Sequence, residues 1–469
     1  LGSLSMGVGV ATGSNNVAVG FRAGEDIAST QDSVFVGVQA GASVAQGNRN
    51  TAIGAFSLST EDGHGNNTAV GYATLNELNA GAEGFNVAIG NNSGKLMSTG
   101  VRNTLAGYNS GSVITSAADN TGVGNQAATA LTTGNQNAFF GSLAGDALTI
   151  GCCNVAMGYS SFSASVDGDH NTAIGAFALE DYEGADDEGF NTAIGSQSQA
   201  QATTGVNNTS VGSLSMGVGI VTGSNNVAIG NSALQDITAG VHNIAIGREA
   251  LGSEDAHGYN IAIGGYALQD QDAGANAYNI AIGYEAGKDV TTGTSNTILG
   301  SQSGDALTTG ISNVAIGRES LGAETAYGNN TAVGTFAMQD LNAGAHGENV
   351  AVGYVAMAEA TTGVRNTALG SRAISVGITT GDDNIAVGYL TGGALTSGNQ
   401  NVLVGNQAGD AITIGRFNTS LGHISLGTNI LTDNNVAIGH QALNLFVGDG
   451  STNNQNGYNT AVGPSAGAA

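Results

Sequence analysis

A pentapeptide that ends in glycine recurs 26 times along the chain, mostly at intervals of 17 residues. Counted from its first residue, position one is Asn in 25 copies, position two is Thr, Val or Ile in 25, position four is always apolar and position five is always Gly. A fixed period of this length predicts a solenoid, whose coils bury their apolar side chains against one another. Representative motif residues are Asn50, Ile53, Gly54, Asn86, Ile89, Gly90, Asn243, Ile246, Gly247, Asn313, Ile316 and Gly317.

The alternation within the pentapeptide predicts one short strand per coil, because larger residues at positions two and four flank a small one at position three. A recurrent Thr-Thr-Gly, as at residues 132–134, predicts a second short strand and a return turn. The fold class is therefore all-β, a β-solenoid or β-roll of about 26 coils. Strands stacked about 4.8 Å apart predict a rod of about 125 Å.

Three columns of the repeat have predicted physical causes. The invariant Gly fits a corner that requires positive φ or a close backbone approach. Asn tolerates the left-handed region, and stacked amides form hydrogen-bonded ladders. Position three is Ala in 18 copies, with bulky exceptions at Phe35, Phe139 and Leu403, and position eight is always Ala, Ser or Thr. Small residues at both positions indicate either a flattened coil with two close layers or a neighbouring chain packed there.

The repeat runs through residues 1–469 without a linker, which predicts a single continuous domain. Leu1 aligns with Val211 in the middle of a motif, so we expect a fragment of a longer fibre protein. The net charge of −26 argues against electrostatic binding of nucleic acid or an anionic membrane. No apolar stretch has the length of a membrane span.

Where the interval exceeds 17 residues, the extra residues predict loops that protrude from the coil. These loops are either simple bulges or contact points for a ligand or partner, since binding residues concentrate on loops held by a rigid scaffold. The predicted loops are 77–85, 180–190, 269–278, 339–348 and 445–458, and their candidate contact residues are Tyr182, Phe190, Tyr278 and Tyr458.

Metal binding has weak support in the sequence. Acidic residues that follow position eight predict a charged edge, where solvated charge is the ordinary interpretation and bound calcium the alternative, although the calcium-binding nonapeptide of β-rolls is absent. Cys152 and Cys153 are either two free thiols, a vicinal disulfide or an inter-chain link. His423 and His440 share a column, as a surface pair or a metal ring. The acids are Glu25, Asp26, Asp146, Asp236, Glu254, Asp255, Asp289, Asp305 and Asp410.

Catalytic motifs have equally weak support, and we predict that the protein is not an enzyme and uses no cofactor. Residues 122–127 resemble a dinucleotide-binding fingerprint but lie within the repeat columns. Paired carboxylates at Glu180 and Asp181, and at Asp186, Asp187 and Glu188, keep a glycan-cleaving activity as an alternative.

Residues 86–90, 226–230 and 313–317 read Asn-Val-Ala-Ile-Gly, and this motif resembles the YadA-like head repeats of trimeric autotransporter adhesins. It also resembles the Asn-Thr-Ala-Ile-Gly arrays of phage tail fibres. The resemblance implies a left-handed, homotrimeric β-roll that attaches to host surfaces. It also implies that the small third-position residues face away from positions two and four, one set lining the core and the other the chain interface; examples of the small set are Ala52, Ala88, Ala228 and Ala351.

Segment 2–16 recurs almost unchanged as 212–226, and such duplication favours selection for length. The functional expectation is an extracellular structural and adhesive fibre, from a phage or, alternatively, a bacterial adhesin head. Its expected partners are its own copies and a glycan or protein receptor of the host. An ice-binding solenoid is disfavoured, because the motif Thr alternates with Val and Ile.

Overall fold

A computed structural model describes residues 12–81, 83–184, 189–326, 328–342, 347–377, 379–428, 431–445 and 457–468. The chain forms two compact units, Leu1–Ala239 and Gly240–Ala469. Each unit is a parallel β-solenoid in which every coil contributes one three-residue strand to a sheet. The described residues contain no helix. The predicted all-β repeat fold is therefore confirmed, and the strand covers positions two to four of the motif.

In the first unit each strand pairs in parallel with the next at the same motif position, as Thr51 with Thr68 and Ala52 with Ala69. Its strands are β1 (Val17–Val19), β2 (Val34–Val36), β3 (Thr51–Ile53), β4 (Thr68–Val70), β5 (Val87–Ile89), β6 (Thr104–Ala106), β7 (Thr121–Val123), β8 (Ala138–Phe140), β9 (Val155–Met157), β10 (Thr172–Ile174), β11 (Thr192–Ile194), β12 (Thr209–Val211) and β13 (Val227–Ile229).

The second unit repeats this register, as Ile244 with Ile261 and Ala245 with Ala262. Its strands are β14 (Ile244–Ile246), β15 (Ile261–Ile263), β16 (Ile280–Ile282), β17 (Thr297–Leu299), β18 (Val314–Ile316), β19 (Thr331–Val333), β20 (Val350–Val352), β21 (Thr367–Leu369), β22 (Ile385–Val387), β23 (Val402–Val404), β24 (Thr419–Leu421), β25 (Val436–Ile438) and β26 (Thr460–Val462).

The prediction of a second strand at Thr-Thr-Gly is wrong. Thr132 and Thr133 lie in a bend. The backbone N–H and the hydroxyl of Thr132 both donate to the carbonyl of Thr149 in the next coil, at 2.8 and 2.9 Å. The backbone N–H of Thr133 donates to the same carbonyl at 3.3 Å, whereas consecutive N–H groups of a strand point to opposite sides, so the segment joins coils without a regular ladder.

The motif Gly occupies the predicted corner. Its φ is +131° at Gly54 and +138° at Gly247, a conformation that only glycine adopts without strain. A Cβ built on Gly54 would lie 2.2 Å from the carbonyl oxygen of Gly71 in the next coil. Both predicted reasons for this glycine, positive φ and close approach, are confirmed.

The coil interior is thin, and this explains the small residues at positions three and eight. Position three is buried in every strand. The hydroxyl of Ser198, at position eight, lies 2.7 Å from that of Ser210, at position three of the next coil, and Ser210 contacts Ser215 at position eight of its own coil. The two layers therefore meet inside one chain, as the flattened-coil alternative predicts. Position three lines the core.

Bulky residues at position three fit because position nine is then glycine. A Cβ on Gly41 would lie 2.1 Å from Phe35, and one on Gly145 would lie 2.8 Å from Phe139. A Cβ on Gly409 would, likewise, lie 2.9 Å from Leu403. Core volume is conserved between the two columns, in accordance with the tolerance of interiors for volume-conserving exchanges.

The motif Asn side chains are buried and form the predicted ladder along the coils. The Oδ1 of Asn86 accepts the backbone N–H of Asn103 at 2.9 Å and its side-chain amide at 3.3 Å, while the Nδ2 of Asn86 donates to Gly100 at 2.9 Å. The prediction that Asn itself is left-handed is wrong. The left-handed residue is the one before it, with φ between +46° and +66° ahead of every strand.

Candidate interaction surfaces and metal-ligand clusters

The residue before each motif Asn forms an exposed stack that we name the pre-motif column. Its left-handed backbone turns the side chain away from the core, while the backbone N–H bonds to the previous coil, as from Asp119 to Val101 at 3.1 Å. Within each unit, consecutive coils are in register, so several adjacent side chains of this column contact one another, as Arg102 with Asp119 and His170 with Phe190. Its members are the residues at 15, 32, 49, 66, 85, 102, 119, 136, 153, 170, 190, 207, 225, 242, 259, 278, 295, 312, 329, 348, 365, 383, 400, 417, 434 and 458.

In the first unit the pre-motif column contains a bidentate ion pair. Arg102 donates to both carboxylate oxygens of Asp119, at 2.6 and 2.7 Å. The hydrogen bond from Arg102 holds the pKa of Asp119 below its usual range. Further along the column, the rings of His170 and Phe190 stack at 4.9 Å with 4° between their planes. The pre-motif column thus accepts both charged and aromatic pairs.

In the second unit three rings of the pre-motif column stack in succession. His242 and Tyr259 are 5.0 Å apart between centroids, and Tyr259 and Tyr278 are 5.3 Å apart. All three side chains are exposed, so their edges and polar atoms face solvent. Arg365 and Asp383 form a bidentate pair in the same column, at 2.6 and 3.1 Å. The aromatic run is the strongest candidate contact surface of this unit.

The four predicted contact aromatics have different environments. Phe190, Tyr278 and Tyr458 belong to the pre-motif column and are exposed. Tyr182 is buried, and its ring stacks on Phe162 at 6.2 Å, so its prediction as a surface residue is wrong. Tyr182 occupies position twelve, which points into the core in other coils, as for Leu148 and Ile114. Its place in the repeat, rather than its place in a long interval, decided its burial.

Only one of the predicted loops, 269–278, lies wholly within the described residues. Gly274, Ala275 and Asn276 are exposed, and a Cβ on Gly274 would contact nothing within 4 Å. The side chain of Asn276 accepts the backbone N–H of Gly258 at 3.2 Å, and inter-coil backbone bonding resumes at Ala277, which donates to Gly258 at 3.3 Å. This loop therefore protrudes as predicted. The other four include residues outside the described ranges: 82 in the first, 185–188 in the second, 343–346 in the third and 446–456 in the last.

Positions two and four of the motif form an apolar outer face of the sheet. Val87 and Ile89 in β5, and Ile280 and Ile282 in β16, are all exposed, although their neighbours at position three are buried. Sheets that are entirely parallel are normally covered on both faces. The outer strand face is therefore an unusually apolar surface in each unit.

Acidic residues also lie in the core, where the sequence did not predict them. Glu254 at position twelve is buried; its carboxylate accepts the backbone N–H of His257 at 3.0 Å and the amide of Asn260 at 3.1 Å. Burial raises its pKa to about 8, with the charges of Asp272 and Asp255 adding to the shift. Glu254 is therefore absent from the predicted charged edge. Ligand atoms of Glu254, His257 and Asp272 lie within 4.8 Å of one another, but both Glu254 oxygens already accept hydrogen bonds.

Glu61 in the first unit has the same position in the repeat as Glu254, although its second oxygen accepts from the backbone of Ala80 rather than from a motif Asn. It is buried, accepts the backbone N–H of His64 at 3.0 Å, and has its pKa raised chiefly by burial. Both glutamates begin a Glu-Asp-x-His sequence, at 61–64 and 254–257. This repeated tetrapeptide was the signal that could have revealed them.

Other acids proposed for calcium binding are partly buried. Burial raises the pKa of Asp146, Asp305 and Asp410, each at position ten. A carboxyl oxygen of Asp146 and one of Asp410 are buried without a hydrogen-bond partner. Burial of these carboxyl groups makes their ionised form less favourable than it would be on an exposed edge.

The two cysteines form a cluster with a histidine of the next coil. Donor atoms of Cys152, Cys153 and His170 lie within 4.8 Å of one another, and both cysteines are free thiols. The backbone N–H of Cys152 donates to the carboxylate of Asp169. Burial, followed by hydrogen bonding to Cys153 and Asp169, raises the pKa of the Cys152 thiol to about 12. This cluster is the one described group in which sulfur and nitrogen donors converge.

The remaining sequence candidates stay within the repeat. Gly122 lies in β7, and the residues after it form turns, so segment 122–127 has no helix to hold a dinucleotide phosphate. His423 and His440 stack at 5.3 Å as an exposed pair. Burial and the charge of Asp181 raise the pKa of Glu180. The carboxylates at 186–188 lie outside the described residues.

Comparisons with known proteins add no functional assignment. No protein-family model matches the chain, and no curated protein is similar enough to count as a relative. None of the described residues form a helix with the length and apolar character needed to cross a bilayer. Any proposed function therefore depends on the surfaces described above.

Proposed function

We propose that this protein is a structural and adhesive fibre element that attaches an extracellular particle or cell to a host surface. The proposed assembly is a homotrimer of left-handed β-rolls, located on a virion as part of a phage tail fibre. The head of a bacterial trimeric adhesin is the alternative. The observation that carries the proposal is the apolar outer strand face, repeated from coil to coil within each unit.

Self-association accounts for this apolar face. Thr, Val and Ile at position two and apolar residues at position four would lose contact with water when copies of the chain cover one another's sheets. The polar pre-motif column would stay outside such an interface and remain free for a receptor. A binding role, rather than a catalytic one, suits this division between an apolar strand face and a pre-motif column of variable residues.

The trimer is tested by light scattering on the isolated chain and on two double variants of the first unit. Ile53→Lys with Ile89→Lys places charge on the outer strand face, whereas Ile150→Lys with Ile220→Lys places it on another surface. All four side chains are exposed in the single chain, Ile53 by 40%, Ile89 by 47%, Ile150 by 49% and Ile220 by 61%. We expect a trimer that the first pair weakens and the second pair does not.

Two results would contradict the trimer. A wild-type chain that is monomeric at all concentrations would remove the reason for the apolar face. Equal effects of the two lysine pairs would show that the strand face is no more important than any other surface. Circular dichroism of each variant distinguishes loss of assembly from loss of fold.

Receptor attachment is tested on the aromatic run of the second unit. Tyrosine side chains combine an apolar ring with a hydroxyl, which suits recognition of sugars and peptides at a wet surface. Replacing Tyr259 and Tyr278 by Ala should reduce binding to host cells or to a glycan array. Replacing Arg365 and Asp383 by Ala in the same column is the matched control. Equal binding by both double variants would exclude the aromatic run as the attachment site.

A further inference from the structure

The cysteine and histidine cluster of the first unit is created by the register of the coils. Residues 17 apart lie in the same column, so Asp169 follows Cys152 and His170 follows Cys153. The backbone N–H of His170 donates to the carbonyl of Cys152 at 3.1 Å, which fixes the two coils at this point. Cys152 and Cys153 are the only cysteines of the chain.

The three side chains are accessible and oriented. Cys152 and Cys153 are half-buried and His170 is exposed. The ring of His170 stacks against Phe190, with planes 4° apart, and this contact restricts its rotation. An imidazole nitrogen binds a metal ion in the plane of the ring. Stacking on one face of the ring therefore leaves its nitrogens free to bind. The Sγ of Cys153 also lies 3.5 Å from the side-chain oxygen of Gln136.

We propose that Cys152, Cys153 and His170 bind a thiophilic divalent metal ion, with Zn²⁺ as the preferred ion. Two thiolates and one imidazole are ligands that favour zinc over calcium or magnesium, which prefer oxygen. A water molecule would complete the tetrahedral coordination. The donor atoms, all within 4.8 Å of one another, need only small side-chain rotations to reach a common ion.

The ion would join two consecutive coils through side chains. Cys152 and Cys153 precede the motif of one coil and His170 precedes that of the next, so the bond adds to the backbone contacts of the pre-motif column. A metal that binds only the folded arrangement raises the free energy of unfolding with the logarithm of its free concentration, once that concentration exceeds Kd. Zinc should therefore stabilise the first unit without changing its fold.

Cobalt is the probe, since Co²⁺ substitutes for Zn²⁺ and its bond to a thiolate absorbs in the near ultraviolet. The full chain is reduced with a phosphine, freed of metal with a chelator and titrated with Co²⁺. We expect one tightly bound Co²⁺ per chain, a sulfur-to-cobalt absorption band, and loss of that band when Zn²⁺ is added. Thermal unfolding with and without Zn²⁺ provides the second readout.

Variants test the individual ligands. Cys153→Ser should weaken Co²⁺ binding by about 100-fold and reduce the sulfur-to-cobalt band, because each ligand of a structural zinc site carries a large share of the affinity. His170→Gln should weaken binding while retaining the band. His242→Gln is the matched control, since His242 lies in the same column and stacks on Tyr259 but has no cysteine neighbour in the previous coil.

Three results would overturn the proposal. Co²⁺ binding without a sulfur-to-cobalt band would exclude the thiolates as ligands. Unchanged affinity in both the Cys153→Ser and the His170→Gln variants would place the ion elsewhere. A mass 2 Da below that of the dithiol, persisting under the reducing conditions, would show a vicinal disulfide instead. Circular dichroism before titration confirms that each variant is folded.

Discussion

The buried motif Asn column and the exposed pre-motif column are adjacent along the chain but follow opposite rules. Position one is Asn in every copy except that of Ser33. The residue directly before it is Asn, Asp, Arg, Gln, Glu, Ser, Cys, His, Phe or Tyr. Nevertheless its backbone has the same left-handed conformation each time. One column conserves the side chain and the other conserves only the backbone.

The difference follows from what each side chain must satisfy. In the interior, the Asn side-chain amide bonds to backbone groups that water cannot reach. Replacing the Asn would leave those groups without a partner, so the residue type is constrained at every coil. In the pre-motif column water can satisfy the side chain, and only the backbone has to turn. A left-handed non-glycine residue costs about 1 kcal/mol or more, which the inter-coil hydrogen bonds offset. The exposed column is therefore free to carry function.

The largest effect is expected where backbone and packing are both constrained. Gly54→Ala puts a Cβ 2.2 Å from a backbone oxygen at φ +131°, so the free energy of unfolding should fall by at least about 3 kcal/mol. Gly63→Ala is the control, because a Cβ there meets nothing within 4 Å. Urea denaturation measures both. Similar midpoints for the two variants would refute the idea that the corner, rather than glycine content, stabilises the coil.

A smaller loss of stability is expected when the side-chain amide of a motif Asn is removed. Asn120 and its neighbour Asp119 provide the comparison. Asn120→Ala removes an acceptor for the backbone of Asn137 at 2.9 Å and a donor to Gly134 at 2.9 Å, which should cost about 2–3 kcal/mol because buried groups lose their partners. Asp119→Ala removes only an exposed ion pair with Arg102 and should have little effect, since such pairs contribute little in water. Thermal unfolding compares the two variants. Equal losses of stability would abolish the distinction between the columns.

An effect that develops only as pH rises is the pH dependence contributed by Glu254. Its pKa is about 8 in the folded chain and about 4.3 in an unfolded one. Below the lower value both states are protonated and the group contributes no pH dependence. As pH rises between the two values the unfolded state loses its proton first, so stability falls, and above pH 8 the loss is complete.

Glu254→Gln should remove that pH dependence and leave a flatter profile of unfolding free energy between pH 5 and 8. Gln is compatible with this position, because Gln271 occupies it in the next coil and accepts from the motif Asn279 at 2.6 Å. Denaturant melts at several pH values measure the profile. An unchanged slope in the variant would show that Glu254 does not titrate in this range.

The periodic features were predictable because each coil meets the same surroundings. Strand position and the Gly54 corner follow from columns visible in the sequence, whereas the small residues at positions three and eight left a flattened coil and a neighbouring chain as alternatives. The left-handed turn was assigned to the wrong residue, because propensity favours Asn there, whereas the amide of Asn50 and its equivalents is needed inside. The prediction of a second strand at Thr132 was also wrong, since the N–H groups of Thr132 and Thr133 both donate to the carbonyl of Thr149 instead of alternating as in a ladder.

Non-periodic features could be predicted less well, because they depend on contacts between columns. Tyr182 was predicted to be exposed, yet position twelve turns it inward against Phe162. The exchange between Phe35 and Gly41 required knowledge that positions three and nine touch. The proximity of Cys153 and His170 could be recognised only when the register of the two coils was known. The sequence did contain a signal for this contact, because Cys153 and His170 are 17 residues apart.

The repeat, the motif strand and the invariant positions could be predicted from the sequence, because they depend on local backbone geometry and on a period. The tertiary structure was needed to decide that each coil has one strand and which face of that strand is buried, since alternation identifies two faces without saying which one meets the core. It also decided which exposed side chains stack, because the lateral contact between Tyr259 and Tyr278 exists only when their coils are in register.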